Sequence, residues 1–473
     1  MNNIYLVGIK GVGMTALAVY LKERGKRVWG SDVADVFHTD AILKKQRIRV
    51  ITSFSPDNIT DDIDLVVTTG AHDGLKNIEV LAAQEKGIPV MTLAEEVGHL
   101  MEAFSTKITV IGSHGKTTTT ALIAFMLRHL GLASSHLVGT ATFSGFNGGS
   151  FGGTDYLVVE GDEYVSSLGT DNTPRFMFQN PDFIVCTNID YDHPDVYKNI
   201  KSLEKVFSDF FNKLLANPLG KLIYCADDIV LRRLVLKIPE EKRISYGFTE
   251  EADLVLHFMH TEEFSYTVFG ARLHGEHLGT FKLPFMGQHN VQNAGAMILL
   301  SQLLLFDIGP IKKSLALFKG LSRRFELIYE KRGVYLFDDY AHHPREIKAV
   351  LEASRERFPK ARRILIFQPH TYSRTKALLN DFVHALQDAD IALVTDIYAS
   401  AREVNNDGIS SKDIETMAQE KNIDTIKYVT DRLLISTLKK MLRPGDVVIT
   451  AGAGDVYKLH NAIKKLINDG FSQ

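Results

Sequence analysis

The chain has 473 residues, of which 45% are hydrophobic and 23% charged, so we expect a soluble globular protein of two to four domains. Its 54 basic and 57 acidic residues leave a net charge of −3, which gives no electrostatic case for nucleic-acid binding. No apolar run reaches the roughly 18 residues that a membrane helix needs, and Lys10 interrupts the apolar start without a cleavage-site pattern. With two cysteines in apolar segments, these features predict a cytoplasmic protein without membrane partners.

The first predicted α/β unit begins at the N-terminus. A strand over residues 3–8 enters a glycine turn over 8–13, and a helix over 14–24 follows. The next strand ends at Asp32, about twenty residues past the glycines, where nucleotide-binding folds place an acid against a ribose. Because the glycine order is G-x-x-G-x-G, the turn predicts a nucleotide or diphosphate at the helix end without identifying it. A purely structural turn remains the alternative.

The second unit opens with the most informative stretch of the chain. A buried strand over residues 108–111 leads through a small-residue turn, 112–115, into Lys116, Thr117 and an apolar helix. Backbone N–H groups can approach phosphate oxygens there, Lys116 can neutralise them, and Thr117 can hold Mg²⁺. The strict phosphate-loop pattern needs glycine where Val110 stands, so this is a shortened variant. The flanking strand and helix disfavour the alternative of a turn without ligand.

Two further strands of this unit deliver functional groups at their carboxyl ends. One, over residues 155–160, ends at Glu160, and the other, over 182–190, is followed by His193. Ligands of open α/β sheets collect at that edge. We therefore predict metal or phosphate chemistry for Glu160 and favour it for His193, with a solvated loop as the alternative for each.

The remainder of the second unit is predicted to add antiparallel strands. Apolar and polar residues alternate over residues 252–284, which is typical of hairpins. The turns are expected at Gly270, Gly275 and Gly279. The unit is expected to close at Glu326.

The third unit is predicted to be a doubly wound parallel sheet. Its four strands are separated by helices and cover residues 334–339, 364–368, 391–396 and 447–451. A polar loop follows each strand, which places these loops at one edge of the sheet. Two adjacent histidines in the first loop, His342 and His343, cannot easily point at one ion, and no cysteine accompanies them. We therefore do not predict a zinc site from this pair.

These units divide the chain into predicted domains over residues 1–105, 106–326 and 327–473. The fold class is α/β, with a Rossmann-like N-terminal domain, a central P-loop-type ATPase domain with added antiparallel strands, and a Rossmann-like C-terminal domain.

This combination predicts ATP-driven joining of two substrates. A nicotinamide-dependent oxidoreductase would leave the Lys116 loop unexplained, and a P-loop regulatory or transport ATPase would leave the first unit without a role.

Seven runs together resemble, in order and spacing, those of the Mur ligases of peptidoglycan synthesis across the whole chain. They cover residues 112–118, 160–163, 188–193, 287–293, 323–326, 338–344 and 369–374. The resemblance implies that ATP phosphorylates the carboxylate of UDP-N-acetylmuramate and that an amine attacks the acyl phosphate.

The resemblance also implies roles for individual residues. The catalytic residues are Lys116, Glu160, His193 and Arg324. The residues implied to bind ATP are Gly112, His114, Gly115, Lys116, Thr117, Thr118, Asn290, Asn293, Arg324, Asp339 and His342. Thr117 and Glu160 are implied to bind one Mg²⁺, and His193 helps to bind a second.

Two further sets of residues are implied to bind the substrates. The UDP part of the substrate is bound by Gly11, Val12, Gly13, Ser31 and Asp32. The incoming amino acid is bound by Tyr340, His370 and Arg374.

Two departures from the family pattern bear on the amine. The segment between Glu160 and His193 is lengthened around residues 170–177, which resembles the recycling branch that attaches a preformed tripeptide. Residues 369–374 and 451–454 instead resemble the branch that adds L-alanine. We give these two runs more weight, because the third domain is expected to bind the incoming amine.

The charges of the third domain also favour a small amine. Its loops offer mainly Arg345, Arg374 and Arg402, which are too few to demand a long anionic peptide. We therefore predict UDP-N-acetylmuramate and L-alanine as substrates, with ATP and Mg²⁺, and keep the tripeptide as the alternative amine. The sequence leaves a monomer or a homodimer open.

Overall fold

The computed structural model describes residues 1–262, 266–399, 403 and 408–470 and contains three successive main sheets. The elements of the first are β1 (Asn3–Val7), α1 (Val12–Glu23), β2 (Arg27–Ser31), α2 (Asp40–Lys45), β3 (Arg49–Ile51), β4 (Leu65–Thr68), α3 (Ile78–Glu85), β5 (Val90–Thr92) and α4 (Leu93–Met101). Its five strands are all parallel, in the order β3-β2-β1-β4-β5. This order, with β1 central and the first crossover leading outward to β2, is the Rossmann-like arrangement expected from the sequence.

The second sheet is the largest. The elements of this part are β6 (Thr106–Ile111), α5 (Lys116–His129), β7 (Ser134–Phe143), β8 (Phe146–Ser150), β9 (Tyr156–Glu160), β10 (Val165–Ser167), β11 (Asp171–Pro174), β12 (Phe183–Cys186), α6 (Ile200–Phe211), β13 (Lys221–Cys225), α7 (Ile229–Leu234), β14 (Arg243–Gly247), β15 (Leu254–Glu262), β16 (Tyr266–Leu273), β17 (Glu276–Leu283), α8 (Gln288–Leu303) and α9 (Ile308–Leu317). Ten strands pair in the order β17-β16-β15-β14-β13-β12-β6-β9-β7-β8, and β10 and β11 form a separate hairpin. The middle of the sheet is parallel and both ends are antiparallel.

The antiparallel end confirms the predicted hairpins over residues 252–284, which are β15, β16 and β17. The predicted turn at Gly275 is correct, because this residue joins β16 to β17. The predicted turns at Gly270 and Gly279 are wrong. Gly270 lies within β16, and Gly279 lies within β17 beside a register shift, where its φ of +90° favours glycine.

Helix α1 joins the first two sheets. It is buried along residues 14–21, because one side packs on its own sheet and the other on β7 and β8. A Cβ at Gly149 of β8 would lie 1.8 Å from the carbonyl oxygen of Ala16, so this close approach requires glycine. The two domains therefore share a continuous apolar core that includes Leu137 and Val159.

The third sheet closes the chain. Its elements are β18 (Glu326–Lys331), β19 (Val334–Asp339), α10 (Pro344–Arg357), β20 (Arg362–Phe367), α11 (Tyr372–Ala377), α12 (Leu379–Leu386), β21 (Ile391–Val394), α13 (Ser411–Glu420), β22 (Ile426–Tyr428), α14 (Asp431–Met441), β23 (Asp446–Ala451) and α15 (His460–Asp469). The order is β18-β19-β23-β20-β21-β22, parallel except for β18, and apolar clusters cover both faces. The four predicted strands are β19, β20, β21 and β23, whereas the edge strands β18 and β22 were not predicted.

The carboxyl ends of β6 and β12 face those of β19 and β20 across a cleft. Side chains that follow these strands contact one another directly between the two domains. No helix in the described parts of the chain is both long and apolar enough to span a bilayer.

Candidate active site

The loop between β6 and α5 closes tightly against two neighbouring segments. Gly112 has a φ of +137° and Gly115 a φ of +79°, so both use glycine's backbone freedom. A Cβ at Gly112 would lie 2.1 Å from Thr187 Oγ1, and one at Gly115 would lie 2.5 Å from Asn293 Oδ1. Helix α5 begins at Lys116, so its unpaired N–H groups face the loop and can bind phosphate.

Lys116 is surrounded by acceptors inside this loop. Its Nζ donates to the carbonyl oxygens of Gly112 at 2.5 Å and Ser113 at 3.1 Å. It also donates to both carboxylate oxygens of Glu163, at 3.0 and 2.8 Å. Burial acts to lower the pKa of Lys116, but the carboxylates of Glu163 and Asp162 outweigh burial and raise it. The ammonium is therefore charged and paired with Glu163.

A hydroxyl, two carboxylates and an imidazole lie beside Lys116. Thr117 Oγ1 donates to Glu160 Oε1 at 2.9 Å, and the backbone N–H of Gly139 donates to Glu160 Oε2 at 2.7 Å. Burial raises the pKa of Glu160. His193 Nε2 lies 3.6 Å from Glu163 Oε1. The structure thus pairs two of the predicted metal ligands, Thr117 and Glu160, and places the third, His193, beside Glu163. Oxygen donors such as those of Thr117 and Glu160 suit Mg²⁺.

A cavity of about 750 Å³ opens beside the loop, within the size range of small-molecule sites. Seven of the residues implied to bind ATP line it: His114, Gly115, Thr118, Asn290, Asn293, Arg324 and Asp339. Phe143, Phe285 and Leu321 add apolar walls that the sequence did not reveal. These three residues come from separate segments, so no local pattern connects them.

The C-terminal domain contributes Asp339 and His342 to this region. The backbone N–H groups of Phe325 and Ala341 each donate to Asp339 at 2.7 Å. Burial nevertheless raises the pKa of Asp339 to about 6. His342 Nδ1 lies 3.3 Å from Glu346 Oε2, and burial lowers the pKa of His342 to about 4. The weakly acidic Asp339 therefore lines the cavity, whereas the neutral His342 contacts it only through Glu346.

A narrow second cavity of about 20 Å³ marks the meeting point of the three domains. Val12 and His38 line it from the N-terminal domain, and Thr117 lines it from the phosphate loop. Arg324 and Tyr340 line its third side, with the guanidinium 5.2 Å from the centre of the tyrosine ring. The N-terminal domain, the phosphate loop and the C-terminal domain therefore lie next to one another at Thr117.

The predicted amino-acid-binding residues meet the central domain. Arg374 is buried, and its Nε and Nη2 both lie 2.8 Å from Asp192 Oδ1. Its Nη1 lies 3.0 Å from His370 Nδ1, and the His370 ring stacks on Tyr398 at 5.7 Å. Arg374 is therefore already paired across the domain boundary. Arg402 lies outside the described residues.

The predicted UDP-binding residues lie at the carboxyl ends of β1 and β2: Gly11, Val12, Gly13, Ser31 and Asp32. The backbone N–H of Lys10 donates to Asp32 at 2.7 Å, and His72 Nε2 lies 3.4 Å from the same carboxylate. The Ser31 hydroxyl instead donates to the buried Glu79. His72 was not predicted from the sequence. It follows β4, so the rule that functional residues lie at the carboxyl ends of parallel strands could have identified it.

The lengthened segment between Glu160 and His193 forms the β10–β11 hairpin, which packs on the N-terminal domain. A Cβ at Gly70 would lie 2.3 Å from the carbonyl oxygen of Ser166. The backbone N–H of Leu75 donates to Ser167 Oγ at 3.4 Å. The segment therefore forms part of the contact between the first two domains.

Sequence models of one family match successive parts of the chain. "Mur ligase family, catalytic domain" matches residues 3–105, "Mur ligase middle domain" matches 110–301, and "Mur ligase, glutamate ligase domain" matches 323–454. The chain belongs to the Mur ligase family. This confirms the resemblance inferred from the seven sequence runs.

Individual Mur ligases are similar over almost the whole chain. The UDP-N-acetylmuramate–L-alanine ligase of Treponema pallidum (strain Nichols) is 36% identical, covering 96% of this chain and 95% of that protein. The ligase of the same name from Desulfitobacterium hafniense (strain Y51) is 36% identical, covering 98% and 99%.

Solved structures confirm the three-domain α/β fold. The UDP-N-acetylmuramate–alanine ligase of Thermotoga maritima superposes with a TM-score of 0.80 at 26% identity, covering 99% of this chain and 100% of that one. A murein peptide ligase from Psychrobacter arcticus shares the fold, with a TM-score of 0.74 at 20% identity and complete coverage of both chains.

Proposed function

We propose that this Mur ligase joins L-alanine to the muramoyl carboxylate of UDP-N-acetylmuramate, with ATP as co-substrate, in the synthesis of peptidoglycan precursors. The observation that carries the proposal is the 36% identity, over almost the whole chain, with ligases named for these two substrates. The assembly of a phosphate loop, carboxylates and groups from the C-terminal domain around one cleft supports it.

The first step is phosphoryl transfer. ATP occupies the cavity beside the phosphate loop, and Lys116 exchanges Glu163 for the β- and γ-phosphates. The muramoyl carboxylate, delivered by the N-terminal domain, attacks the γ-phosphorus, so that ADP leaves and an acyl phosphate forms. The fixed ammonium of Lys116 and the guanidinium of Arg324 stabilise the charge of the transferring group.

We expect this step to use Mg²⁺, held by Thr117 and Glu160 at one position and with the help of His193 at a second. The donor set fits, because the Thr117 hydroxyl and the Glu160 carboxylate are already 2.9 Å apart. When bound, Mg²⁺ neutralises phosphate charge and polarises the phosphoryl oxygens.

The second step is attack by the amine. The amino group of L-alanine attacks the acyl carbon, and inorganic phosphate leaves. Arg374 binds the amino-acid carboxylate, which requires it to share or release Asp192, while His370 and Tyr340 enclose the methyl group. Contacts between the C-terminal and central domains exclude water from the acyl phosphate.

We expect a cytoplasmic enzyme that acts as a monomer or a homodimer. Within the described residues, one chain supplies all the groups assigned to the reaction.

ADP release in the presence of UDP-N-acetylmuramate and a panel of amines tests the proposal. L-alanine-dependent release, with the amide product identified by mass spectrometry, is the expected result. ATP hydrolysis that needs no UDP-sugar would indicate a regulatory ATPase, and a change in nicotinamide absorbance would indicate an oxidoreductase.

The recycling reaction is the second candidate, because the segment between Glu160 and His193 is lengthened. A higher kcat/KM for L-alanyl-γ-D-glutamyl-diaminopimelate than for L-alanine would establish it.

A further inference from the structure

Three possible metal ligands from two domains meet beside the phosphate loop, and none of them belongs to the proposed Mg²⁺ sites. His114 lies in the loop after β6, Asp190 follows β12, and His343 precedes α10. His114 Nε2 is 3.2 Å from Asp190 Oδ2, and His343 Nδ1 is 3.8 Å from the same oxygen. In the part of the chain that the structure describes, these are the only three His, Cys, Asp or Glu side chains whose ligand atoms all lie within 4.8 Å of one another.

The outer nitrogen of each histidine ring already has an acceptor. His114 Nδ1 lies 3.3 Å from Glu346 Oε1, and His343 Nε2 lies 3.3 Å from the carbonyl oxygen of Tyr191. His343 Nδ1 accepts a long 3.4 Å hydrogen bond from the backbone N–H of Arg345, so this nitrogen has a lone pair. A cation bound by His343 Nδ1 replaces this weak hydrogen bond. Metal-binding histidines are oriented in this way by carboxylates and carbonyls behind them.

We propose that His114, Asp190 and His343 bind one divalent cation of the zinc class between the central and C-terminal domains. Two imidazole nitrogens and one carboxylate oxygen suit Zn²⁺ better than Mg²⁺, which prefers oxygen ligands. The ion lies between the phosphate loop and the start of α10, so its binding favours contact between the two domains. The proposal goes beyond the ligase reaction and does not depend on which amine is used.

Two neighbouring groups are compatible with this site. Arg345 Nε lies 2.9 Å from Asp190 Oδ2, but this side chain is 65% exposed and can turn into solvent when a cation takes its place. His342 is directed towards Glu346 rather than towards Asp190. The adjacent histidines therefore do not share an ion, and His343 alone contributes to the site.

X-ray absorption spectroscopy of the full-length protein tests the site directly. The protein is stripped of metal with a chelator, exchanged into millimolar Mg²⁺ and loaded with one equivalent of Zn²⁺. The expected spectrum contains scattering from two imidazoles, with Zn–N distances of about 2.0–2.1 Å. Scattering from a single imidazole would overturn the proposal, because that result places Zn²⁺ with His193 at the Mg²⁺ ligands.

Competition with a chromophoric chelator measures the Zn²⁺ affinity of variants. His343→Ala and Asp190→Asn should each weaken binding by at least about 10–100-fold, the loss seen even for groups behind a ligand. His193→Ala is the matched control and should retain the wild-type affinity. Thermal unfolding checks that each variant is folded, and His343→Gln replaces His343→Ala if the latter is not. The proposed site is contradicted if a folded His343 variant keeps the wild-type affinity for Zn²⁺. It is also contradicted if His193→Ala loses that affinity.

Discussion

Lys116 and Glu163 form a buried ion pair at the base of the phosphate loop, with Nζ 2.8 Å from Oε2 and the Glu163 side chain only 1% exposed. A buried carboxylate is costly unless it is paired, so Lys116 stabilises Glu163 in addition to its proposed role in phosphate binding. In the proposed reaction, a phosphate of ATP therefore replaces the Glu163 carboxylate beside the Lys116 ammonium. Mutations of the two residues should separate these roles.

Lys116→Ala should lower kcat by about 10²–10³-fold, because it removes a charge that stabilises the transferring phosphoryl group. It should also lower the free energy of unfolding by up to roughly 3–5 kcal/mol, because the buried Glu163 loses its nearest cation and keeps only His193, whose Nε2 is 3.6 Å away. ADP release and urea unfolding measure the two effects. The double variant Lys116→Ala/Glu163→Gln is the control, and it should recover stability without recovering activity. Wild-type turnover by folded Lys116→Ala protein would remove the loop from the mechanism.

Glu163→Gln alone should tighten the binding of ATP by about tenfold, because the phosphates no longer compete with a carboxylate for Lys116. Calorimetric titration in the presence of a metal chelator measures this affinity without a contribution from Mg²⁺. Glu160→Gln is the matched control, because Glu160 bonds to Thr117 rather than to the lysine ammonium. Equal or weaker ATP binding by Glu163→Gln would show that no exchange takes place.

The sequence predicted two kinds of site residue. Some lie next to the motif that defines their role, and the others follow from the rule that ligands bind at the carboxyl ends of the strands of an α/β sheet. Lys116 and Thr117 adjoin the strand, glycines and helix that define their role, and Glu160 ends a recognisable buried strand. The Lys116–Glu163 pair was not predicted, because it depends on side-chain directions set by packing. Pairs such as Arg374 with Asp192 join residues 182 positions apart, and they depend on how two domains meet.

The fold was predictable where strands are long and buried. Strands β19, β20 and β23 are six residues each and almost fully buried, so their apolar runs stand out. Strand β18 is half polar and has no buried residue, and β22 has only three residues. Edge strands like these carry little apolar signal, which explains why both were missed.

The stability of the protein should fall as pH rises from about 6.5 to about 9, partly through His114. Burial acts to lower the pKa of His114, but Asp190 and Glu346 outweigh burial and raise it from 6.5 to about 9. The folded protein thus binds a proton in this window that the unfolded chain has released. The contribution of His114 is complete below pH 6.5 and is lost as pH rises through about 9.

Thermal unfolding across this pH range, in a chelator that excludes metals from His114, measures the effect. His114→Gln should flatten the fall in stability relative to the wild type. If the stability of the two proteins falls equally as pH rises, the proton bound by His114 is not the cause of the fall.

Arg374→Ala should raise the KM for L-alanine far more than the KM for ATP, if the guanidinium binds the amino-acid carboxylate as proposed. Should Arg374 serve only to hold Asp192, both KM values would rise together, because the two domains would meet less closely. Arg374→Lys should not restore the KM for L-alanine, since an ammonium cannot reproduce the bidentate geometry. Initial rates with each substrate varied in turn distinguish these outcomes.

L-alanine should be the best amine, with glycine and L-serine weaker. One methyl group is worth about 1–3 kcal/mol, or roughly 10–200-fold in kcat/KM, which sets the expected margin over glycine. The anionic tripeptide needs free positive charge, and the two arginines of these loops that the structure describes are both paired, Arg374 with Asp192 and Arg345 with Asp190. The lengthened segment, which resembles that of the recycling branch, packs on the N-terminal domain through Ser167. Side-by-side kcat/KM values for the four amines decide the matter, and a tripeptide value above that of L-alanine would assign the protein to the recycling branch.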